Sequence, residues 1–347
     1  MSPARWQAVW SQRGLPAWLL WPASLLYGAL GALRRTLYRI GVLTVHRLPV
    51  PVVVVGNVVV GGAGKTPTVI ALVRHLQAHG WHPGVVSRGY GREGDAVLAV
   101  TDDTTASASG DEPSLIHRST QVPVFVAARR VDAARALLAA HPEVNLLLCD
   151  DGLQHLALGR DLSVAVFDER GSGNNWQLPA GLLREPWPPA PGDRFAPDLL
   201  LRQRRDEVAG APLTVPPGMP AFEARRRLAD HAINRQGERV ALAELAQRPV
   251  TAVAGIARPE VFFDMLRARG LPLQRIVPMA DHAQAQDYAA LGLQAGETVV
   301  CTEKDAVKLF DQLPPGAQAW AVPLELSPEP AFWTTFDALL AERVTRR

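Results

Sequence analysis

Lysine is nearly missing from this 347-residue chain: only Lys65, Lys304 and Lys308 stand against 33 arginines. A lysine here is therefore rarely a default surface choice. Cysteine is equally scarce. Cys149 and Cys301 each close an apolar run (LLLCD and TVVCTEKD). Two cysteines cannot staple a chain this long, so they read as buried, reduced thiols of a cytosolic protein. Neither has the spacing of a zinc site. Acidic residues are absent before Glu93, so residues 1–92 carry +10 from Lys65 and nine arginines. The remainder carries −8, and the two together make the net charge of +2. A basic, acid-free quarter points to an anionic partner: a membrane surface, a phosphorylated substrate or nucleic acid. With 48% hydrophobic and 20% charged residues, a disordered chain and a fibrous repeat are excluded. The length suits two domains.

Residues 15–33 (LPAWLLWPASLLYGALGAL) contain no charge and approach the length that spans a bilayer. Two prolines and two glycines interrupt them. The spacing predicts a helix from near Pro22 through Ile40, with Leu26, Leu30, Leu33, Leu37 and Ile40 on one face. Ser24, Gly28, Gly31, Arg34, Arg35 and Arg39 fall on the other. This is the pattern of a helix lying in the membrane interface. Trp6, Trp10, Trp18 and Trp21 suit the headgroup level. A helix packed on the next domain is the alternative, and a spanning helix the third. A secretory signal is disfavoured, because no small-residue cleavage site precedes a mature start.

Residues 50–55 (VPVVVV) read as a strand buried on both faces, as in a parallel sheet. GNVVVGGAGKTP follows, then an apolar-periodic helix with Pro67 in its first turn and Gly80 just past its end. Strand, glycine-rich turn and helix is the setting of a phosphate-binding loop, here Val59, Val60, Gly61, Gly62, Ala63, Gly64, Lys65 and Thr66. Glycines let backbone N–H groups approach phosphate oxygens, and the helix dipole adds positive charge. Lys65 would reach the β- and γ-phosphates of ATP and Thr66 would place its hydroxyl on Mg²⁺. Val59 stands where the motif has its first glycine.

A second buried strand, NLLLCDD, ends in Asp150 and Asp151, candidate Mg²⁺ ligands. Other polar clusters sit where strands should end: Arg88 and Tyr90 in VVSRGYG, Asp111 and Glu112 in GDEP, Arg129 and Arg130, and Asp168 and Arg170 in FDERGSGN. Ligands of open α/β sheets bind beyond the carboxyl ends of strands, and arginines there suit an acceptor carrying phosphate. The spacing divides the chain into a membrane-associating segment (1–45), a phosphate-loop domain (46–206), a proline-rich linker (207–221) and a smaller α/β domain (222–347). In the last, MADHAQ holds Asp281 and His282, and TEKDAVK runs from Thr302 to Lys308.

Taken in order, VVVVGNVVVGGAGKTP, VVSRGYG, GDEP, RRVDA, DDGLQH, FDERGSGN with LPAGLLREP, MADH and TEKDAVK resemble the tetraacyldisaccharide 4′-kinase family, the lipid A 4′-kinases of Gram-negative bacteria. The match covers nearly the whole chain, and the family tolerates a non-glycine at the position of Val59. The resemblance implies a P-loop NTPase-like, mostly parallel α/β domain joined to a smaller α/β domain. It implies transfer of phosphate from ATP, with Mg²⁺, to the 4′-hydroxyl of a lipid A disaccharide precursor. The place implied is the cytoplasmic face of the bacterial inner membrane, held peripherally. By motif, Asp111 looks like the catalytic base, assisted by His282. Lys65, Thr66, Asp150 and Asp151 would serve ATP and Mg²⁺, with Glu112 and Gln154 nearby. Arg88, Tyr90, Arg130, His155 and Arg170 look substrate-facing.

The implied partners are the lipid precursor and an anionic membrane surface, with no nucleic acid and no obligatory protein partner. A membrane-associated P-loop ATPase switch that recruits a protein is the rival from another class. It would pass phosphate to water and not to lipid. A nucleic-acid-dependent ATPase is weaker, because no interleaved aromatic and basic platform is visible in the globular part.

Overall fold

The computed structural model describes residues 3–62, 64–205, 210–281 and 283–346. Ala63 and His282 lie outside the described residues. Two leading helices, α1 (Pro3–Ser11) and α2 (Leu15–Arg39), precede β1 (Val52–Gly56) and α3 (Lys65–Ala78). Then come β2 (Pro83–Ser87), β3 (Leu98–Val100), α4 (Ala106–Ser109), α5 (Asp111–Thr120), β4 (Val124–Val126) and α6 (Arg130–Ala140). The strands β5 (Leu146–Asp150), β6 (Leu162–Phe167) and β7 (Leu199–Arg204) follow. Beyond the proline-rich stretch lie β8 (Ala221–Leu228), β9 (His231–Ile233), β10 (Arg239–Ala241), α7 (Leu242–Leu245), β11 (Val250–Ala254) and α8 (Pro259–Ala268). The chain continues through β12 (Leu273–Pro278), α9 (Ala285–Ala289), β13 (Thr298–Thr302) and α10 (Glu303–Leu309). It closes with β14 (Gln318–Val322), β15 (Leu324–Pro328) and α11 (Pro330–Thr345).

The valine run becomes β1, buried throughout and paired in parallel with β5 on one side and β6 on the other. A strand sheathed on both faces needs apolar residues at every position. One face packs on α6 through Val131, Ala134 and Leu137. The other packs on α3 through Val69, Leu72, Val73 and Leu76, and on α11 through Phe332, Phe336 and Leu340. The full sheet has nine strands in the order β15-β8-β7-β6-β1-β5-β2-β4-β3. A second, six-stranded sheet runs β10-β9-β14-β13-β11-β12.

Three features differ from the sequence expectation. AWAVPLEL is two strands, not one. It breaks at Pro323, which has no N–H for a ladder, so β14 joins the second sheet and β15 returns to the first. The first sheet thus draws β8 and β15 from beyond the proline-rich stretch, and a division at 207–221 does not separate the two sheets. The amino-terminal helix begins at Leu15 and runs through Pro22. Ala17 and Ser24, on either side of that proline, are both buried, and their packing outweighs the proline's local cost of about 3 kcal/mol.

The third feature is the arginine face of α2, which turns inward. Arg35 pairs with Glu185 and Asp193, and Arg39 with Asp193. Arg34 donates to the Gln154 carbonyl, and the Ser24 hydroxyl donates to the Gln177 carbonyl while accepting from the Ala180 N–H. Leu19, Leu26, Leu30 and Leu33 stay exposed. The charges expected to face lipid headgroups are satisfied by the protein, because the loop 176–193 offers carboxylates and carbonyls that would otherwise be unpaired.

Candidate active site

The carboxyl ends of the central strands open onto a crevice of about 620 Å³ between the two sheets. Its floor is the phosphate loop. Gly64 has φ 81° and caps α3, a left-handed conformation that L-residues adopt only at a cost. A Cβ there would lie 1.8 Å from Gln203 Oε1. That glutamine, buried on β7, donates from Nε2 to the Gly64 carbonyl (2.7 Å) and to Thr68 Oγ1 (2.8 Å), so β7 clamps the loop to the start of α3. Lys65 and Thr66 line the crevice from the first turn. Val59 is instead part of the core and does not line the crevice. Val60 lines it, yet its N–H is donated to the Leu182 carbonyl at 2.8 Å. The loop's usable donors therefore begin at Gly61.

The adjacent aspartates have opposite surroundings. Asp150 ends β5 fully buried, and Oδ2 accepts from Ser87 Oγ at 3.3 Å. Its Oδ1 is buried with no hydrogen-bond partner among the described residues. Burial, then the Glu112 and Asp151 carboxylates, push its pKa up to about 7. Asp151 has φ 47° and turns toward cations: Arg184 Nη1 reaches its two oxygens at 2.9 and 3.1 Å, and Lys65 Nζ lies 3.7 Å away. Burial raises its pKa, but Lys65 and Arg184 outweigh that and hold it below the usual carboxylate value. Three carboxylates around one orphaned oxygen is a donor set that fits a hard dication such as Mg²⁺.

Asp111 is the first residue of α5, buried, and its Oδ1 lies 2.6 Å from Lys308 Nζ. Glu112 beside it lines the crevice. The second sheet supplies the facing wall. Ile256, Val261, Phe262 and Met265 line the crevice with an apolar surface, as do Pro67 and Ile70. Arg258 crosses to Asp168 Oδ2 (3.1 Å) and Glu169 Oε1 (3.0 Å). Burial raises the Glu169 pKa, but Arg258, Arg226 and Arg205 outweigh it and lower the value. Lys304 pairs with Asp281 at 2.6 Å.

Of the residues expected to face the acceptor, Tyr90 lines the crevice, two-thirds exposed. Arg88 is exposed outside its lining. Arg130 is buried and donates to the Asp151 carbonyl, so it shapes the turn that carries the carboxylates. Arg170 holds Asp168 through Nε (2.9 Å) and the Val60 carbonyl through Nη1 (3.1 Å), a brace for the phosphate loop. Gln154 is also a brace: its Nε2 donates to Asn57 O and Glu185 Oε1. His155 Nε2 is buried without a hydrogen-bond partner among the described residues. Burial and the neighbouring Arg130, Arg34 and Arg160 lower its pKa from 6.5 to about 4. Gln203, Arg184, Arg226 and Arg258 were not anticipated. Glutamine and arginine on strands and in loops, as here on β7 and β8, after β6 and before α8, carry no local signal, whereas the scarcity of lysine did mark Lys304 and Lys308.

Comparison with known proteins bears on the family and the fold. Residues 16–341 match the profile of the family described as tetraacyldisaccharide-1-P 4′-kinase (LpxK). The tetraacyldisaccharide 4′-kinase of Polaromonas naphthalenivorans (strain CJ2) is 55% identical over 339 residues, 95% of this chain and 93% of that protein. The corresponding protein of Herminiimonas arsenicoxydans is 42% identical, over 93% of this chain and 91% of its own. Among solved structures, the crystal structure of LpxK from Aquifex aeolicus in complex with ATP superposes with a TM-score of 0.78. It is 28% identical and covers 95% of this chain and 99% of that one.

Proposed function

The chain belongs to the tetraacyldisaccharide-1-P 4′-kinase family, and from that premise we propose how its crevice works. The enzyme is an ATP-dependent kinase that phosphorylates the 4′-hydroxyl of the tetraacyldisaccharide 1-phosphate precursor of lipid A. The observation that carries the residue assignment is the meeting, in one crevice, of Lys65, Thr66 and Glu112 with the buried Asp150 and Asp111 beside it. Lys65 and the loop N–H groups from Gly61 onward hold the ATP phosphates. The apolar wall around Phe262 and Met265 receives the adenine. Asp150, Glu112 and Thr66 would hold Mg²⁺, with Asp151 joining once its hold on Arg184 and Lys65 relaxes. Bound there, the ion neutralises charge on the phosphate oxygens. Asp111 takes the proton of the attacking hydroxyl, assisted by His282. Tyr90 faces the acceptor, and Arg88 flanks its approach.

We also propose that α2 lies in the cytoplasmic face of the inner membrane without crossing it. By length and composition alone this 25-residue helix could cross one. Its contacts to the globular part, however, run from Trp18, whose ring meets Trp176, to Arg39, about 32 Å of helix at 1.5 Å per residue. Spanning would break them. The open leucine face, with Leu15 at its start, is then the membrane-facing side.

The test is incubation of the protein in detergent micelles with labelled ATP and the disaccharide 1-phosphate. A labelled lipid is expected. Label released only as inorganic phosphate, with acceptor present, would favour the ATPase switch.

A further inference from the structure

Lys65, Lys304 and Lys308 are all the lysines of the chain, and the fold brings each of them to the phosphate-loop side of the second sheet. Lys65 heads α3 and Lys304 lines the crevice beside Asp281. Lys308, one turn further along α10, is buried, with Nζ 2.6 Å from Asp111 Oδ1 and 2.7 Å from the Ala283 carbonyl. One ammonium thus joins three segments: the amino terminus of α5, the 280–283 loop and α10 itself.

The choice of residue is informative. Where this chain makes another bridge between the two sheets it uses arginine, as Arg258 does with Asp168 and Glu169. A guanidinium fork tends to grip both oxygens of a carboxylate, whereas an ammonium is a point donor that can hold one and send its other N–H groups elsewhere. At Asp111 the ammonium meets Oδ1 and the Ala283 carbonyl from a single atom. A residue that only fastened two lobes would gain from the fork. A residue that must orient a base without capping it would not.

We propose that Lys308 is a positioning residue for phosphoryl transfer, fixing the rotation of the Asp111 carboxylate toward the acceptor hydroxyl and making that orientation depend on the second lobe. The proposal rests on Asp111 being the base. Misplacing a reacting group by about 1 Å can cost on the order of a hundredfold in rate.

The experiment compares wild type, Lys308→Met, Asp111→Asn and the double variant as full-length protein in micelles, reading kcat, KM for ATP and melting temperature. Lys308→Met should lower kcat by about a hundredfold with KM for ATP unchanged, and should add nothing to the loss in Asp111→Asn. If Asp111→Asn is slow but Lys308→Met turns over like wild type, or if the two losses multiply, Lys308 is only a tie between lobes and the proposal falls. Normal turnover in Asp111→Asn would remove the base assignment itself, and this inference with it. Should Lys308→Met fail to fold, Lys308→Arg keeps the charge and the bridge but offers a fork. Lower kcat at a near-wild-type melting temperature is then expected, and wild-type kcat would overturn the proposal.

Discussion

The two sheets present their carboxyl edges to the same crevice but equip them differently. The edge of the nine-stranded sheet balances its own charge. Asp151 is met by Arg184 and Lys65, and Asp168 by Arg170. The loop itself is clamped by Gln203 from a neighbouring strand of that sheet. The edge of the six-stranded sheet balances little by itself across the crevice. Arg258 and Lys308 instead reach acids of the other sheet. One edge is a finished phosphate site; the other is a set of arms. A kinase built this way can hold nucleotide with one lobe and organise the acceptor chemistry with both.

The sharpest way to break this contrast is to disarm the first edge. Lys65→Ala should lower phosphoryl transfer by at least roughly 10²–10³-fold, and Asp150→Ala should abolish it as well, with the circular dichroism spectrum retained. Wild-type turnover in either would mean the nine-stranded edge is not the phosphate site. Next in size is Gln203→Leu. It takes from the Gly64 carbonyl and Thr68 Oγ1 the donor they share from β7, although Thr68 itself still donates to that carbonyl, a loss of about 0.5–1.5 kcal/mol. The melting temperature should fall and KM for ATP should rise together, since one side chain serves both. A fall in melting temperature without any change in KM would show that the clamp is structural only.

A smaller effect is expected at the second edge. Arg258→Ala removes an arm, but Asp168 keeps Arg170 and Glu169 keeps Arg205, so neither buried carboxylate is left alone. Stability should therefore fall by well under the about 3–5 kcal/mol that stripping a buried charge of its partner costs, while KM for ATP rises severalfold because Arg258 lines the crevice. Titrating ATP by isothermal calorimetry separates the two. A large loss of stability with unchanged affinity would recast the arm as a core brace.

How much of this was legible in the sequence follows from where the signals are local. The strand, turn and helix of the phosphate loop can be read because valine runs, positive-φ glycines and helix caps act within a few residues. Asp150 and Asp111 could be located at strand and helix ends by the same logic. The direction in which a long side chain points could not. Arg130, Arg170 and Gln154 read as site-facing but are bonded to backbone carbonyls behind the loop, because buried carbonyls claim donors that a sequence cannot show. The arginines of α2 repeat that lesson: their spacing could be read, but not that Arg35 would also meet Glu185 and Asp193. Pro323 hid a change of sheet within one apolar run, since periodicity alone does not say which sheet a strand joins.

The smallest effect concerns the arginine corner behind the first edge. His155 sits half-buried there with Nε2 unpartnered, its pKa lowered from 6.5 to about 4 by burial and by Arg130, Arg34 and Arg160. In the unfolded chain it would titrate near the ordinary value. Between those two values the folded protein binds fewer protons than the unfolded one, so its stability must rise with pH. The contribution is complete above about pH 6.5 and is lost as the pH falls toward about 4. His155→Gln removes that titration while keeping a polar side chain. Above this window the two proteins should therefore melt close together. Within it, wild type should lose melting temperature faster than the variant as acid is added. Partial exposure and salt will screen the difference, which is why it ranks last. Added salt should flatten it further by weakening the pull of the three arginines. Parallel melting curves for the two proteins across the window would show that the imidazole is already free to take up a proton in the folded state, and the arginine corner would then be more open than its geometry implies.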